Sequence, residues 1–537
     1  MKGLEGTATL TRLALRRERV TIPVWIVLLV ALVVGVAVNY KRIFPTELIR
    51  ENFVAEMSKN LALIAFSGHI VSANLGALVV FKIGDSVYTL LALMVLLTVF
   101  RYTRTEEESG RQDLLSAGVV GRYAPLTASL IVACGASLLT GLLCVLGLLG
   151  LGIDPVGSLA FGVALAGSGL VFAALAALVA QLSENTRTAI TIGAIALVAS
   201  YLIRFAADAI GQPWLEWLSP NGWCHLLAPF GNEQWGVAGL MLVATIVVEA
   251  FAYLLVARRD LGSGLLAPRP GPAGSTSLRS PFALAWRLQR GPLLGWVIAY
   301  SVIGAVCGAA AGSMQEFIRS SSFGMTFLIH YSGSPNASSA DIFLEMIVIT
   351  LGMVSVFYSA FATLQLRSEE VAGHAELLLS TPVGRIRWIA SHLLFTLGGT
   401  VVVLAAGGFF MGLVRWLSSG DVAAFPRVFT GTLLHAPAAW VLIGATLLLF
   451  GIVPRLAVAM TWVVVVYVQL IGEVLGPIVL GPTYRYSVIN ALQPFHWVPR
   501  ITSGGAFTAT PLLMLTGLSI LLIIAGLLTF QRRNIGS

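Results

Sequence analysis

Residues 104–122 read RTEEESGRQDLLSAGVVGR, and residues 367–385 read RSEEVAGHAELLLSTPVGR. We call these stretches the first and second copy of the repeated motif. They align without a gap and share nine of nineteen residues, where chance would give about one or two, so the chain contains an internal duplication. The identical pairs are Arg104/Arg367, Glu106/Glu369, Glu107/Glu370, Gly110/Gly373, Leu114/Leu377, Leu115/Leu378, Val120/Val383, Gly121/Gly384 and Arg122/Arg385.

The sequence around the motif has the composition of a membrane protein. Of the 537 residues, 57% are hydrophobic and 11% charged, and the mean hydropathy is +0.88, whereas soluble domains are about 25% charged. A helix needs about 20 apolar residues to cross a bilayer. We therefore predict twelve spans, with approximate cores at 21–39, 85–101, 123–149, 155–182, 187–205, 236–256, 292–311, 341–365, 387–414, 428–450, 456–476 and 509–530.

The duplication divides these spans into two equal sets. We predict an all-α, polytopic membrane protein of two tandem six-helix repeats in parallel orientation, with halves at 1–256 and 284–537. Residues 257–283 are rich in Gly, Pro and Ser, so they predict a cytosolic linker. Residues 61–81 are apolar too, and they fit either a loop or a re-entrant or surface helix.

Charge predicts the orientation of the spans. With the N-terminus inside, about two thirds of the 33 Lys and Arg residues fall in cytoplasmic segments, which follows the positive-inside rule. Residues 1–20 are too long and polar to precede a cleaved signal, so we expect the first span to be retained. The net charge of +8 is thereby explained without a nucleic-acid partner. We expect a bacterial plasma-membrane protein with both termini in the cytoplasm.

The motif itself predicts a short helix at the cytoplasmic surface. Thr105 and Ser368 are suited to cap such a helix, which places the paired glutamates in its first turn. Its leucines need a protein surface to cover them. They either fold back onto the inner helix ends of this protein, with the charges at the lipid interface, or dock into a groove of a cytosolic subunit.

These residues and the six-plus-six layout resemble the permease subunits of actinobacterial ATP-binding cassette exporters, the polyketide-antibiotic (tetronasin-type) family with a type-2-like organisation. The resemblance implies that both copies are coupling helices docked on two copies of a cytosolic ATPase. The residues implied in coupling are Arg104, Glu106, Glu107, Gly110, Leu114, Leu115, Gly121, Arg122, Arg367, Glu369, Glu370, Gly373, Leu377, Leu378, Gly384 and Arg385. The copies differ where Val371 aligns with Glu108 and His374 with Arg111, so the two docking sites need not be equivalent.

The chain has no phosphate-binding loop of its own. Such a loop requires the pattern GxxxxGK[ST], and none of the four lysines, Lys2, Lys41, Lys59 and Lys82, follows a glycine. ATP and Mg²⁺ are therefore expected on the partner ATPase, with no cofactor in this chain. No catalytic constellation is present, and the four cysteines and seven histidines are dispersed, which predicts neither an enzyme nor a metal site.

Ionisable residues inside apolar runs are the candidates for a substrate path. We consider Glu249, His392 and His435, although each also fits a structural hydrogen bond between spans. Arg204 and Asp208 are spaced to pair with each other. The apolar walls of the spans suit a lipophilic or amphipathic substrate, such as an antibiotic or lipid-like compound. A proton-coupled secondary transporter with Glu249 as the titrating group is the alternative, and a lipid enzyme or scaffold is a third.

Overall fold

The computed structural model describes residues 3–58, 64–65, 67–111, 120–258, 278, 280–320, 332–334, 337–469 and 492–533. Within these residues the chain is helical and contains no β-strand. It divides into two compact units, Met1–Gly271 and Pro272–Ser537. The predicted all-α fold is thereby confirmed.

Unit 1 contains ten of the described α-helices. They are α1 (Thr7–Arg17), α2 (Thr21–Ile43), α3 (Glu47–Met57), α4 (Leu75–Tyr102), α5 (Arg104–Glu108), α6 (Ala124–Gly150), α7 (Pro155–Leu182), α8 (Thr186–Ile210), α9 (Pro220–Leu226) and α10 (Trp235–Arg258). A 3₁₀ turn, Pro213–Leu218, precedes α9. We call the end of unit 1 that carries α1 and α5 its motif end, and the opposite end its far end.

Unit 2 contains eight described α-helices. They are α11 (Pro281–Ser320), α12 (Ser339–Val371), α13 (His374–Leu379), α14 (Arg385–Ser419), α15 (Ala424–Leu433), α16 (Ala436–Ile452), α17 (Ala457–Val466) and α18 (Ala509–Arg532). Helix α11 begins inside the stretch predicted as a linker, most of which (259–277 and 279) lies outside the described residues. The motif end of unit 2 is the end where α12 and α18 finish and α14 begins.

Among the described residues, eleven helical segments are long and apolar enough to cross a membrane, with α15 and α16 counted together as the segment Ala424–Ile452. Each matches a predicted span. The twelfth predicted span, 456–476, corresponds to the shorter apolar helix Ala457–Gln469, and its remaining residues lie outside the described part of the chain. The protein is therefore a polytopic membrane protein.

The second membrane helix contains the predicted core 85–101 but begins earlier. Helix α4 begins at Leu75, where the side chain of Asn74 accepts a hydrogen bond from the backbone N–H of Gly76. The sequence interpretation took the boundaries of the core from charged, Gly and Pro residues. Lys82 and Asp85 both lie within the helix, and Asp85 has charged partners inside unit 1.

Close contacts between small residues hold neighbouring helices together in each unit. In unit 1, a Cβ built on Gly141 of α6 would lie 2.5 Å from the backbone oxygen of Gly162 on α7. In unit 2, a Cβ on Gly304 or Gly308 of α11 would lie 2.3 or 2.4 Å from a backbone oxygen of α14. Membrane helices associate through such small residues because the backbones can then approach closely.

Candidate functional site

The first copy of the motif lies at the motif end of unit 1. Helix α4 ends at Tyr102, and the short helix α5 follows almost directly. Arg104 is buried, donates to the backbone oxygen of Ala180 and pairs with Glu107 at 2.7 Å. Glu106 accepts a hydrogen bond of 2.7 Å from Arg17 on α1. These contacts fix the start of the motif against helices α1 and α7.

The second copy repeats this pattern of contacts in unit 2. Arg367 pairs with Glu370 at 2.8 Å, as Arg104 pairs with Glu107 in the first copy. Glu369 lies 3.2 Å from His374, and its counterpart Glu106 lies 3.5 Å from Arg111. The substitution of His374 for Arg111 therefore keeps the contact with the aligned glutamate, so the duplication is visible in the side-chain pairing as well as in the sequence.

The predicted caps are wrong. Glu369 and Glu370 lie in the last turn of α12, which runs on to Val371, and not in the first turn of a helix capped by Ser368. In the first copy, the Thr105 hydroxyl donates to the backbone oxygen of Phe100 at 3.3 Å. The N-cap of α5 is Thr103 and not Thr105, but Glu106 and Glu107 do lie in its first turn, as predicted. In the second copy, the i, i+3 pair between Arg367 and Glu370 favours continued helix.

A glycine ends the preceding helix in each copy. Gly110 has a φ of 71° and Gly373 a φ of 75°, both in the left-handed region. The N–H of Gly110 donates to the backbone oxygen of Glu107, and the N–H of Gly373 donates to the backbone oxygen of Glu370. Residues with a side chain avoid this conformation at a helix C-terminus. The identity of these two glycines thus reflects a shared turn.

The C-terminal residues of the two copies have different contacts. The N–H of Gly121 donates to the backbone oxygen of Glu5 at 2.8 Å, and a Cβ there would lie 2.3 Å from the backbone of Gly3. The aligned Gly384 has open space around it. Arg385 donates to the backbone oxygens of Gln531 and Arg533. The first copy is therefore fastened to the start of the chain and the second to the end of α18.

Arg533 also contacts the buried part of the second copy. Its guanidinium pairs with Glu370 and lies over the rings of Phe450 and Phe530 at about 5 Å. Glu370 is thereby bound by both Arg367 and Arg533. The end of α12 and the end of α18 are thus joined through one buried carboxylate.

The leucines of the motif separate into covered and uncovered side chains. Leu378 packs against the hydrophobic core at the motif end of unit 2, whereas Leu377 is 71% exposed. Val371, at the end of α12, is also 71% exposed. Its counterpart Glu108 accepts a hydrogen bond from the N–H of Thr186, at the start of α8. Leu114 and Leu115 lie outside the described residues.

The three candidate substrate-path residues lie apart from the motif and from one another. Glu249 is partly exposed on α10, with its carboxylate 4.0 Å from the thiol of Cys134. His392, on α14, lies 3.4 Å from the amide of Gln289. His435 lies at the break between α15 and α16, and its Nδ1 is 3.0 Å from the backbone oxygen of Gly431. The two histidines are buried, and these contacts are between helices or within one.

An ionic cluster at the far end of unit 1 is larger than the sequence indicated. Arg204 pairs with Asp208 at 2.9 Å, which confirms the predicted pair. It also binds Asp85 of α4 at 2.8 Å, and the ring of His225 lies 2.8 Å from the same carboxylate. Sequence reasoning missed Asp85 and His225. An aspartate within a long apolar stretch was the signal available.

The chain is similar over its full length to a known protein. The chain is 38% identical over 539 residues to the multidrug efflux system permease protein Rv1217c of Mycobacterium tuberculosis (strain ATCC 25618 / H37Rv). The alignment covers 99% of this chain and 96% of the relative. Residues 278–531 also match the model of the C-terminal domain of the multidrug efflux system permease Rv1217c.

This chain belongs to the Rv1217c permease family. The domain model of the family spans α11 to α18, and so includes the whole second copy of the motif. The family therefore assigns the helical unit around that copy to a permease. Within the described residues, no group of three or more His, Cys, Asp or Glu side chains is arranged to hold a metal.

The second copy contains two glycines, Gly373 and Gly384, that allow a matched test of the turn. Ala at Gly373 is forced into a left-handed conformation, which costs about 1–2 kcal/mol, whereas Ala at Gly384, with a φ of −68° and open space, is unstrained. We expect Gly373→Ala to lower the melting temperature of the purified protein by about 2–4 °C per kcal/mol. Gly384→Ala should leave it unchanged. Equal melting of the two variants would contradict a strained turn.

Proposed function

We propose that this chain is the membrane-embedded subunit of an ATP-driven exporter that moves lipophilic or amphipathic compounds, such as antibiotics, out of the bacterial cell. The full-length similarity to a multidrug efflux system permease carries the proposal. The apolar composition of the membrane helices suits such compounds. Energy comes from two copies of a separate ATP-binding subunit, which also hold the Mg²⁺.

The two copies of the motif are the proposed docking sites for these subunits. In the first copy, Arg104 of the short helix α5 donates to the backbone oxygen of Ala180 at the end of α7. In the second copy, the pair between Glu370 and Arg533 joins the end of α12 to the end of α18. A displacement of either copy is therefore transmitted to the end of a membrane helix, because breaking a buried contact of a charged group costs several kcal/mol. The proposal places both motif ends in the cytoplasm, together with both termini of the chain.

The exposed apolar side chains of the second copy are the proposed contact. Val371 and Leu377 are each 71% exposed on a segment that carries the charged residues Glu369, His374 and Glu376. Apolar side chains at the centre of a polar rim are typical of protein interfaces. In the first copy, Glu108 is turned toward α8 instead. The two docking sites are therefore proposed to differ in strength.

Charged substitutions of these two residues test the proposal. The full-length protein is tagged, purified from its native host and compared with Val371→Asp and Leu377→Asp variants. We expect each variant to lose at least about tenfold in co-purified ATPase and in substrate-stimulated ATP hydrolysis, since a central contact contributes about 2 kcal/mol or more. Val422→Asp is the matched control. Val422 is 65% exposed, but it lies just after the C-terminus of α14, whereas the motif precedes the N-terminus of that helix.

The outcomes separate the alternatives. Loss of ATPase in all three variants would indicate general damage and contradict docking at the motif. Transport by the purified wild-type chain in a proton gradient, with no ATPase present, would contradict ATP-driven export and support the secondary transporter, for which Glu249→Gln is the decisive variant.

A further inference from the structure

The ionic cluster at the far end of unit 1 is a continuous chain of five side chains. In order, they are His225, Asp85, Arg204, Asp208 and His69. The successive distances between nitrogen and oxygen atoms are 2.8, 2.8, 2.9 and 3.8 Å. We call this arrangement the far-end chain. A histidine stands at each end of it, and the only arginine stands in the middle.

The far-end chain runs from the interior of unit 1 to its surface. The side chain of Arg204 has no exposed area, and Asp208 and Asp85 are nearly as buried. His225 is 15% exposed and His69 is 64% exposed. A small pocket of about 20 Å³, room for about one water molecule, is lined by both histidines and by Tyr88. Water therefore reaches both imidazoles, whereas the two carboxylates and the guanidinium are shielded from solvent.

The two histidines join covering segments to membrane helices. Asp85 belongs to α4, and Arg204 and Asp208 belong to α8. His225 belongs to residues 211–231, which turn back over the far end, and His69 precedes α4. A Cβ on Gly68 would lie 2.3 Å from the His225 ring. The segments thus meet directly above Asp85.

The covering segment 211–231 has a second anchor at its C-terminal end. Ala228 and Phe230 have φ values of 50° and 65°, a conformation that residues other than glycine adopt only when packing holds them there. The Phe230 ring fills the space above Gly76 and Gly157, and its backbone oxygen accepts a hydrogen bond from Ser72. The C-terminal end of the segment is therefore held by packing. The part that precedes His225 is held by buried hydrogen bonds, from the Ser219 hydroxyl to the backbone oxygen of Ser200 at 2.6 Å and from the N–H of Asn221 to the Ser200 hydroxyl at 3.1 Å, and His225 adds its contact with Asp85.

The charges of the far-end chain do not balance while both imidazoles are neutral. Two carboxylates face one guanidinium, and a buried charge without a partner is costly. Histidine is the side chain that takes up a proton between about pH 8 and 5. A proton on either ring supplies the missing positive charge, but only while the ring lies against its carboxylate.

Other ionisable groups also face the far-end chain. Glu216 lies in the 3₁₀ turn, and burial together with the nearby charge of Asp208 raises the pKa of Glu216. Tyr201 stacks on Arg204 at 4.9 Å. The ring centroids of Tyr88 and His225 lie 6.5 Å apart. Cys224, which precedes His225 in the sequence, is buried. Of these, Glu216 is the competing proton acceptor.

We propose that the far-end chain is a proton-binding site that controls the opening of the segment 211–231, which closes in acid and loosens as the pH rises. A proton bound by His225 or His69 stabilises the closed arrangement, because the attraction to Asp85 or Asp208 is lost when the segment lifts. The proposal goes beyond export and does not depend on the source of energy. It assigns to this end of unit 1 a response to the pH of the medium that bathes it.

Hydrogen exchange of the full-length protein in lipid nanodiscs tests the proposal. Backbone protection of residues 211–231 is measured at pH 8.0 and 5.5 and corrected for the intrinsic exchange rates at each pH. In the wild type we expect protection to be at least about fivefold higher at pH 5.5, the lower end of coupling between linked sites. The His69→Gln/His225→Gln protein should lose this difference, and His496→Gln, which alters unit 2, should keep it.

A single substitution separates the histidines from the competing carboxyl group. Glu216→Gln should keep the pH difference if the histidines bind the proton. Loss of the difference in Glu216→Gln, or its survival in the double histidine variant, would overturn the proposal. Equal protection of the wild type at both pH values would overturn it as well. If the double variant does not fold, His69→Gln alone should reduce the difference, because His69 is the more exposed ring.

Discussion

Arg204→Ala should destabilise the protein by about 3–5 kcal/mol, the usual cost of removing one partner from a buried ion pair. The substitution leaves Asp85 and Asp208 buried at the far end of unit 1 without the guanidinium that lies 2.8 and 2.9 Å from them. The pairing of α4 with α8 is lost at the same point. We expect little protein to remain monodisperse after extraction in detergent, as measured by size-exclusion chromatography before and after heating.

Two matched variants distinguish charge from general damage. Arg427→Ala removes an arginine that pairs with Asp421 at 2.6 Å but is 37% exposed, so the expected loss is at most about 1 kcal/mol. The triple variant Arg204→Met, Asp85→Asn and Asp208→Asn removes the charges together. It should recover much of the stability lost in Arg204→Ala, because neutral replacements of buried ion pairs are often tolerated. A stable Arg204→Ala protein would contradict the central role of this arginine.

Gly308→Val should separate α11 from α14 in unit 2. The added Cβ would lie 2.4 Å from the backbone oxygen of Met411, and a backbone carbonyl inside a helix cannot move away without breaking its own hydrogen bond. Overpacking in a core costs about 1–3 kcal/mol and occasionally more. Since the obstacle here is backbone, we expect the upper end of that range, seen as a melting temperature lower by several degrees.

Gly295 provides the control on the same helix. A Cβ at Gly295 meets no atom within 4 Å, so Gly295→Val should be neutral or slightly stabilising, since valine is the better helix former. Gly304, which faces the backbone oxygen of Gly407 at 2.3 Å, should behave like Gly308. Equal effects at Gly295 and Gly308 would show that close backbone contact does not hold this pair of helices.

Hydropathy predicted the spans because each membrane helix must be apolar along most of its length. It placed the start of the second core at Asp85, whereas α4 begins at Leu75 and carries both Lys82 and Asp85 inside the helix. Asp85 is tolerated because it binds Arg204 and His225, which lie far away in the sequence. The pairing of Arg204 with Asp208 was predictable because a spacing of four residues places both side chains on one face of a helix. No local pattern indicates the longer-range partners.

The repeated motif was predictable as a duplication but not in its detail. Alignment identified Gly110 and Gly373 as equivalent, and both adopt the same left-handed turn. The helix starts were misplaced, because Thr105 and Ser368 resemble caps. In the first copy α5 begins after Thr103, and in the second copy α12 continues past Ser368, where the pair between Arg367 and Glu370 favours helix. Alignment also does not distinguish Leu377, which is exposed, from Leu378, which is covered.

The far-end chain also sets a requirement for the synthesis of this protein. His225 follows Asp85 by 140 residues, and at about 5–20 residues per second the ribosome needs roughly 7–28 s to make that stretch. Helix α4 therefore reaches the bilayer before the groups that neutralise its carboxylate exist. An isolated charge at that depth opposes release into lipid. The order of synthesis thus favours retention of α4 at the insertion machinery until α8 emerges and brings Arg204 to it.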